Sequence, residues 1–139
     1  MIAAFIDTNI IIDLGMKNRE NHEDAVEIFN LCAEKEIKIS TSTHCIATSH
    51  YFLKKESNEK GAREFISNLF QLVEILSVTK SAIENSVSSN FRDFEDAIQY
   101  YTALSNKSIQ IIITNDKIGF RHSTIPVLSS REFLNKYFQ

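Results

Sequence analysis

Two apolar runs at opposite ends of this chain stop in the same manner. Ile2 to Ile6 ends at Asp7-Thr8-Asn9, and Ile109 to Ile113 ends at Thr114-Asn115-Asp116. Short apolar runs bounded by polar turn formers read as buried strands. Strands apolar on both faces belong to a mostly parallel sheet with helices on either side. If both runs lie in one such sheet, Asp7 and Asp116 leave it at the carboxyl edge, where open α/β folds place ligands. Two carboxylates there suggest a metal.

The segments between these runs alternate in period. A short helix is expected through Ile10 to Leu14, stopped by Gly15, and Ala25, Ile28, Phe29 and Cys32 mark an amphipathic helix over about 21–35. Ile37 to Ser40 and Val73 to Val78 read as strands. Between them, Thr43 is placed to cap a helix to about Lys55, and Ala62, Phe65, Ile66, Leu69 and Phe70 line the next. Thr79, or Ser81 with Glu84, starts a helix through Val87; Phe94, Ala97, Ile98, Tyr101 and Leu104 define another over about 93–105. A brief Val127-Leu128 strand follows Pro126, and Ser129 with Glu132 has capping-box spacing ahead of a last helix. With 139 residues and no repeat or linker, a single domain over 1–139 is expected.

Composition excludes some classes. Fifteen basic against eighteen acidic side chains give a net charge of −3, so the total does not advertise a nucleic-acid binder, although Lys107, Lys117, Arg121, Arg131 and Lys136 make the carboxyl-terminal part positive. Cys32 and Cys45 have neither metal nor CxxC spacing and read as reduced core thiols. No leader pattern or membrane-length run is present, so a cytosolic protein with no membrane association is expected.

Asp93 and Asp96 lie one helical turn apart and project from one face of a helix start, adding two acids to Asp7 and Asp116. Mg²⁺ prefers oxygen ligands, typically one or two carboxylates with water and substrate phosphate completing the octahedron. Each acid also has a structural role open to it: Asp93 as a helix cap, Asp7 and Asp116 as caps of the turns that follow. Asp96 sits beside Ala97 and Ile98, where an unpaired carboxylate is costly. Asp13 and Glu95 read as solvated or capping acids. His22, His44, His50 and His122 lack HExxH spacing, and the Tyr and Phe residues recur mainly at core-packing periods.

Taken in order, Ile6-Asp7-Thr8-Asn9, then 93–100 (DFEDAIQY), Ile113-Thr114-Asn115-Asp116 and 125–128 (IPVL) resemble the PIN-domain nucleases, including the toxin ribonucleases of VapC type. The resemblance implies an α/β/α sandwich around a five-stranded sheet of order 3-2-1-4-5, which brings Asp7 beside Asp116. It further implies Mg²⁺- or Mn²⁺-dependent cleavage of single-stranded RNA by a toxin with a cognate antitoxin, commonly as a homodimer. By that similarity Asp7, Asp96 and Asp116 are catalytic and bind metal, Asp93 supplements them, and Asn9 and Thr114 position the loops. One departure stands out. The family pattern has a Glu on the helix after the second strand, and 40–51 contains no acid; Thr48 occupies the place.

Two alternatives accompany this expectation. Loss of the Glu fits a weak or inactive PIN-like module that binds RNA or a protein. A dehalogenase-like phosphatase fits Asp7 and Thr114 superficially, but that family has DxD where position 9 is Asn. Any RNA is expected near Lys117 and Arg121, away from the acidic stretch 20–36.

Overall fold

The computed structural model describes residues 1–138. Strand β1 (Ile2–Ile6) leads into α1 (Thr8–Gly15) and α2 (His22–Ala33), and β2 (Ile37–Ser42) into α3 (Thr43–Glu56) and α4 (Glu59–Leu69). Then come β3 (Glu74–Leu76), α5 (Lys80–Val87), α6 (Phe94–Leu104), β4 (Ile111–Ile113), a 3₁₀ turn at Lys117–Phe120, β5 (Val127–Leu128) and α7 (Ser130–Phe138). The sheet order is β3-β2-β1-β4-β5 with every pairing parallel. Right-handed crossovers account for the layering. β1→β2→β3 steps one way across the sheet, and β3→β4 steps back, so α5 and α6 cover the face opposite α1–α4.

The central strands are buried because they are apolar on both sides: Phe5, Ile6, Ile112 and Ile113 are fully enclosed, with Ile10, Ile28, Phe133 and Leu134 from the helices closing the core. Burying one such side chain contributes about 1.5–3 kcal/mol. Cys32 and Cys45 are free and buried, as expected. No described helix is long and apolar enough to cross a membrane.

Several boundaries differ from the sequence expectation. β2 continues to Ser42, which replaces Thr43 as the cap of α3 by accepting from the Cys45 amide at 2.9 Å. Thr41 and Ser42 look like turn residues locally. They are fully buried because they pair with Ile75 and Leu76 of β3, while Thr41 Oγ1 donates to the Ile6 carbonyl and Ser42 Oγ to Gln99 Oε1. β3 and β4 are shorter than their apolar runs. Thr79, not Ser81, caps α5, and the Ser129–Glu132 capping box closes reciprocally at 2.9 and 3.1 Å. Phe94 and Leu104, expected on the apolar face of α6, are 48% and 43% exposed, being at its ends and beyond the packing of α5.

Candidate functional site

Pairing of Ile6 with Ile113 sets the Asp7 and Thr114 ends of neighbouring strands side by side, and the ladder continues one step through Asp7 N to the Ile113 carbonyl at 3.1 Å. Asp7 is buried at 6% exposure. Its Oδ1 accepts from the Thr8 amide at 2.8 Å, so the capping role foreseen for it is real, while Oδ2 accepts from Thr114 Oγ1 at 2.9 Å and from Asn9 Nδ2 at 3.2 Å. Burial pushes the carboxyl above its ordinary range, the Thr8 amide and Thr114 hydroxyl oppose this, and Asp116 and Asp93 add to the rise.

Thr114 is saturated. Its hydroxyl donates to Asp7 and accepts from Asn9 Nδ2 at 3.0 Å and from the Asp116 amide at 3.1 Å. Asn9 also accepts the Asn115 amide at 3.1 Å. Asn9 and Thr114 thus bind the two strand ends into one unit.

Asp13 departs from expectation. It is 3% exposed rather than solvated, paired with Arg19 Nε at 2.9 Å and accepting from Asn115 Nδ2 at 3.1 Å. Asn115 Oδ1 in turn accepts from the Ser130 amide and hydroxyl. The isoleucines of α1 point into the core on the same turn of helix, and a carboxylate is tolerable there because Arg19 and the distant Asn115 each take one of its oxygens. Asp13→Ala is expected to cost about 2–3 kcal/mol in chemical denaturation, because it leaves the Asn115 amide group without its acceptor. A loss under about 0.5 kcal/mol would show that the network carries no stability.

α6 delivers the other acids. Asp93 caps it, accepting from the Asp96 amide at 3.0 Å, and remains exposed. Asp96 is half-buried and is pushed up to about 7, first by burial, then by the charges of Asp7, Asp93 and Asp116. Its carboxylate and that of Asp116 meet around Gly119: a Cβ there would stand 2.2 Å from Asp96 Oδ2 and 3.4 Å from Asp116 Oδ2. Asp7, Asp96 and Asp116 line one opening together with Asn9, Thr48, Phe52 and Glu95, and Asp93, Asp96 and Asp116 line a second with Arg92, Arg121 and His122.

The acids belong together electrostatically. Among the described residues, none of Asp7, Asp93, Asp96 and Asp116 is in a salt bridge. Asp7 and Asp96, each raised in part by neighbouring carboxylates and neither in a salt bridge, suit a hard divalent cation. Among the described residues no three acidic, imidazole or thiol groups already surround one point as a ligand set. Mutual repulsion spreads such groups, and Mg²⁺ needs just one or two of them directly.

Lys117 does not face this site, because its ammonium is bound by both oxygens of Glu132 at 2.8 and 3.0 Å. Arg121 does line it. Sequence reading passed over Arg92, Gly119 and Phe52, and took Glu95 for a solvated or capping acid. Arg92, next to the Asp93 cap, was open to detection from position; the others carry no local signal.

A family model of the PIN domain matches residues 3–118. Ribonuclease VapC1 of Aquifex aeolicus (strain VF5) is 29% identical over 139 residues, covering 96% of this chain and 94% of that protein. Among solved structures, VapC20 of Mycobacterium tuberculosis, described as a Sarcin-Ricin loop cleaving toxin, superposes with TM-score 0.63 at 23% identity over 78% of this chain and 86% of that one. VapBC2 from Rickettsia felis, bound to a DNA fragment from their promoter, gives TM-score 0.65 at 15% identity over 92% of this chain and 98% of that chain. The match over residues 3–118, on a sheet of order 3-2-1-4-5 with its acids at the carboxyl edge, places this chain in the PIN-domain family.

Proposed function

We propose that this protein is a metal-dependent ribonuclease that hydrolyses single-stranded RNA, acting as the toxin of a toxin–antitoxin pair. The observation that carries the reading is the convergence of Asp7, Asp96 and Asp116, none of them in a salt bridge among the described residues, at the sheet edge where the two central strands end. Mg²⁺ or Mn²⁺ held by these carboxylates, with Asp93 at the rim, supplies Lewis-acid polarisation of the phosphate and an activated water.

The chain's own residues do the positioning. Thr8, Asn9 and Thr114 fix both oxygens of Asp7 by hydrogen bonds, so this carboxylate is oriented before any ligand arrives. Arg92 and Arg121 flank Asp93, Asp96 and Asp116 and are placed to hold phosphates on either side of the one cleaved. Phe52, 41% exposed at the other opening, offers a face on which an unpaired base stacks; that favours single strands over duplex. The relatives support the toxin role: one is named a ribonuclease, one a toxin, and one is a VapBC2 assembly, which fits an antitoxin partner here.

Mixed-sequence single-stranded RNA incubated with the protein is expected to be cut in Mn²⁺ and left intact in EDTA, with Asp7→Asn inactive. Metal-free protein is expected to lose RNA affinity on combined Arg92→Glu and Arg121→Glu and to keep it on Lys117→Glu. Cleavage that survives EDTA, or Asp7→Asn, would reject the reading. Thr48, which brings no charge where the family pattern has a Glu, favours a second reading, a PIN-like binding module. Tight RNA binding with no turnover in Mn²⁺ would select it.

A further inference from the structure

α3 leaves a gap in the charge lining of the site. It contributes Thr48 to the opening that holds Asp7, Asp96 and Asp116, and it has no acid before Glu56, at its far end. The same opening contains Glu95, the residue before Asp96 on α6.

Glu95 lies close to α3. Its Oε2 lies 3.6 Å from Nε2 of His44, and that nitrogen is buried yet has no hydrogen-bond partner. A buried imidazole nitrogen without a partner is costly, so its retention here asks for a group that closes on it. His44 and Thr48 are four residues apart and share one face of α3. A carboxylate drawn to His44 therefore lies one helical turn from the Thr48 side chain. Thr48 is small enough to leave that space open.

We infer that Glu95 supplies the metal-facing carboxylate that α3 lacks, with His44 as the residue that positions it. The two helices have exchanged the job: the acid comes from the first turn of α6 and the uncharged side chain from α3. The inference rests on the metal-dependent reading above. It extends that reading by assigning the charge of the Thr48 position to a residue whose side chain is 64% exposed and makes no other ion pair among the described residues.

Calorimetric titration with Mn²⁺ alone, on the full chain without RNA, separates the possibilities. Glu95→Gln is expected to weaken Mn²⁺ binding at least about tenfold, and adding Thr48→Glu to that variant to restore it. His44→Ala is expected to produce a smaller loss, with circular dichroism unchanged throughout. Wild-type protein that binds Mn²⁺ no more tightly than Glu95→Gln, while Asp96→Asn loses it, would overturn this inference and leave the ribonuclease reading intact. Failure of Thr48→Glu to rescue would overturn it as well. Absence of Mn²⁺ binding by the wild type would remove both.

Discussion

Asp96→Asn is expected to raise the melting temperature of the metal-free protein at pH 8 while reducing RNA cleavage at least about a thousandfold. The folded protein holds this carboxyl at about 7, far above the ordinary 3.8, because burial and the charges of Asp7, Asp93 and Asp116 all disfavour its ionised form. A raised acid contributes stability below its unfolded value and loses it as pH climbs through the folded one. The loss therefore develops between about pH 4 and pH 7 and is complete at pH 8. A shift of this size corresponds to about 4 kcal/mol without solvent, and screening of a half-exposed side chain reduces it to about 1–2 kcal/mol. Asparagine fills the same space without the charge. Calorimetric scans in EDTA are expected to show the variant melting about 5 °C higher at pH 8, with no difference at pH 4.

Added Mn²⁺ is expected to reverse the order at pH 8, because it stabilises the folded form that binds it and the variant has lost the ligand. Equal melting temperatures in EDTA at pH 8 would mean that Asp96 is better solvated than its surroundings indicate. Retained cleavage would remove it from the catalytic set. Both outcomes are readable on one pair of proteins.

Gly119→Ala is expected to cut cleavage about a hundredfold while the fold stays intact. Its backbone is not in the left-handed region, so alanine is conformationally acceptable there. The obstacle is the site itself. The new methyl would stand 2.2 Å from Asp96 Oδ2 and 3.1 Å from its Cγ, so the Asp96 carboxylate has to swing away from Asp116. Far-UV circular dichroism and melting temperature near wild type, with weakened Mn²⁺ binding, would establish that Gly119 is kept to let two acids approach. An alanine variant that cleaves at the wild-type rate would show instead that Asp96 relaxes without cost.

The parts of the site that were legible from residues 1–139 lie at the ends of strongly patterned segments. Asp7 and Asp116 stand out because each follows an apolar run, and Asp96 because it adjoins the buried face of an amphipathic helix. Asn9 and Thr114 came from the family resemblance, and their hydrogen bonds to Asp7 give them a physical reason. Lys117 lines neither opening, and a lysine near an acid is indistinguishable in sequence from one paired elsewhere. Its partner, Glu132, lies fifteen residues away, past a turn and a strand. Glu95 read as a surface acid because the residue before it and the residue after it point to different surroundings, and only α3 lying opposite makes its direction matter.

Local pattern thus determined the α/β class, most of the helices and strands, and the placing of acids at the end of two strands and the start of one helix. Backbone period and capping chemistry act within a few residues, so they are written where they act. Only the tertiary structure decided the burial of Asp13 beside Asn115, the close approach of Gly119 to Asp96, the entry of Arg92 and Phe52 into the site, and the pairing of Glu95 with His44. Those contacts join segments brought together by strand crossovers and helix packing. Their energies depend on burial and on charges arriving from elsewhere, which no single stretch of the chain carries.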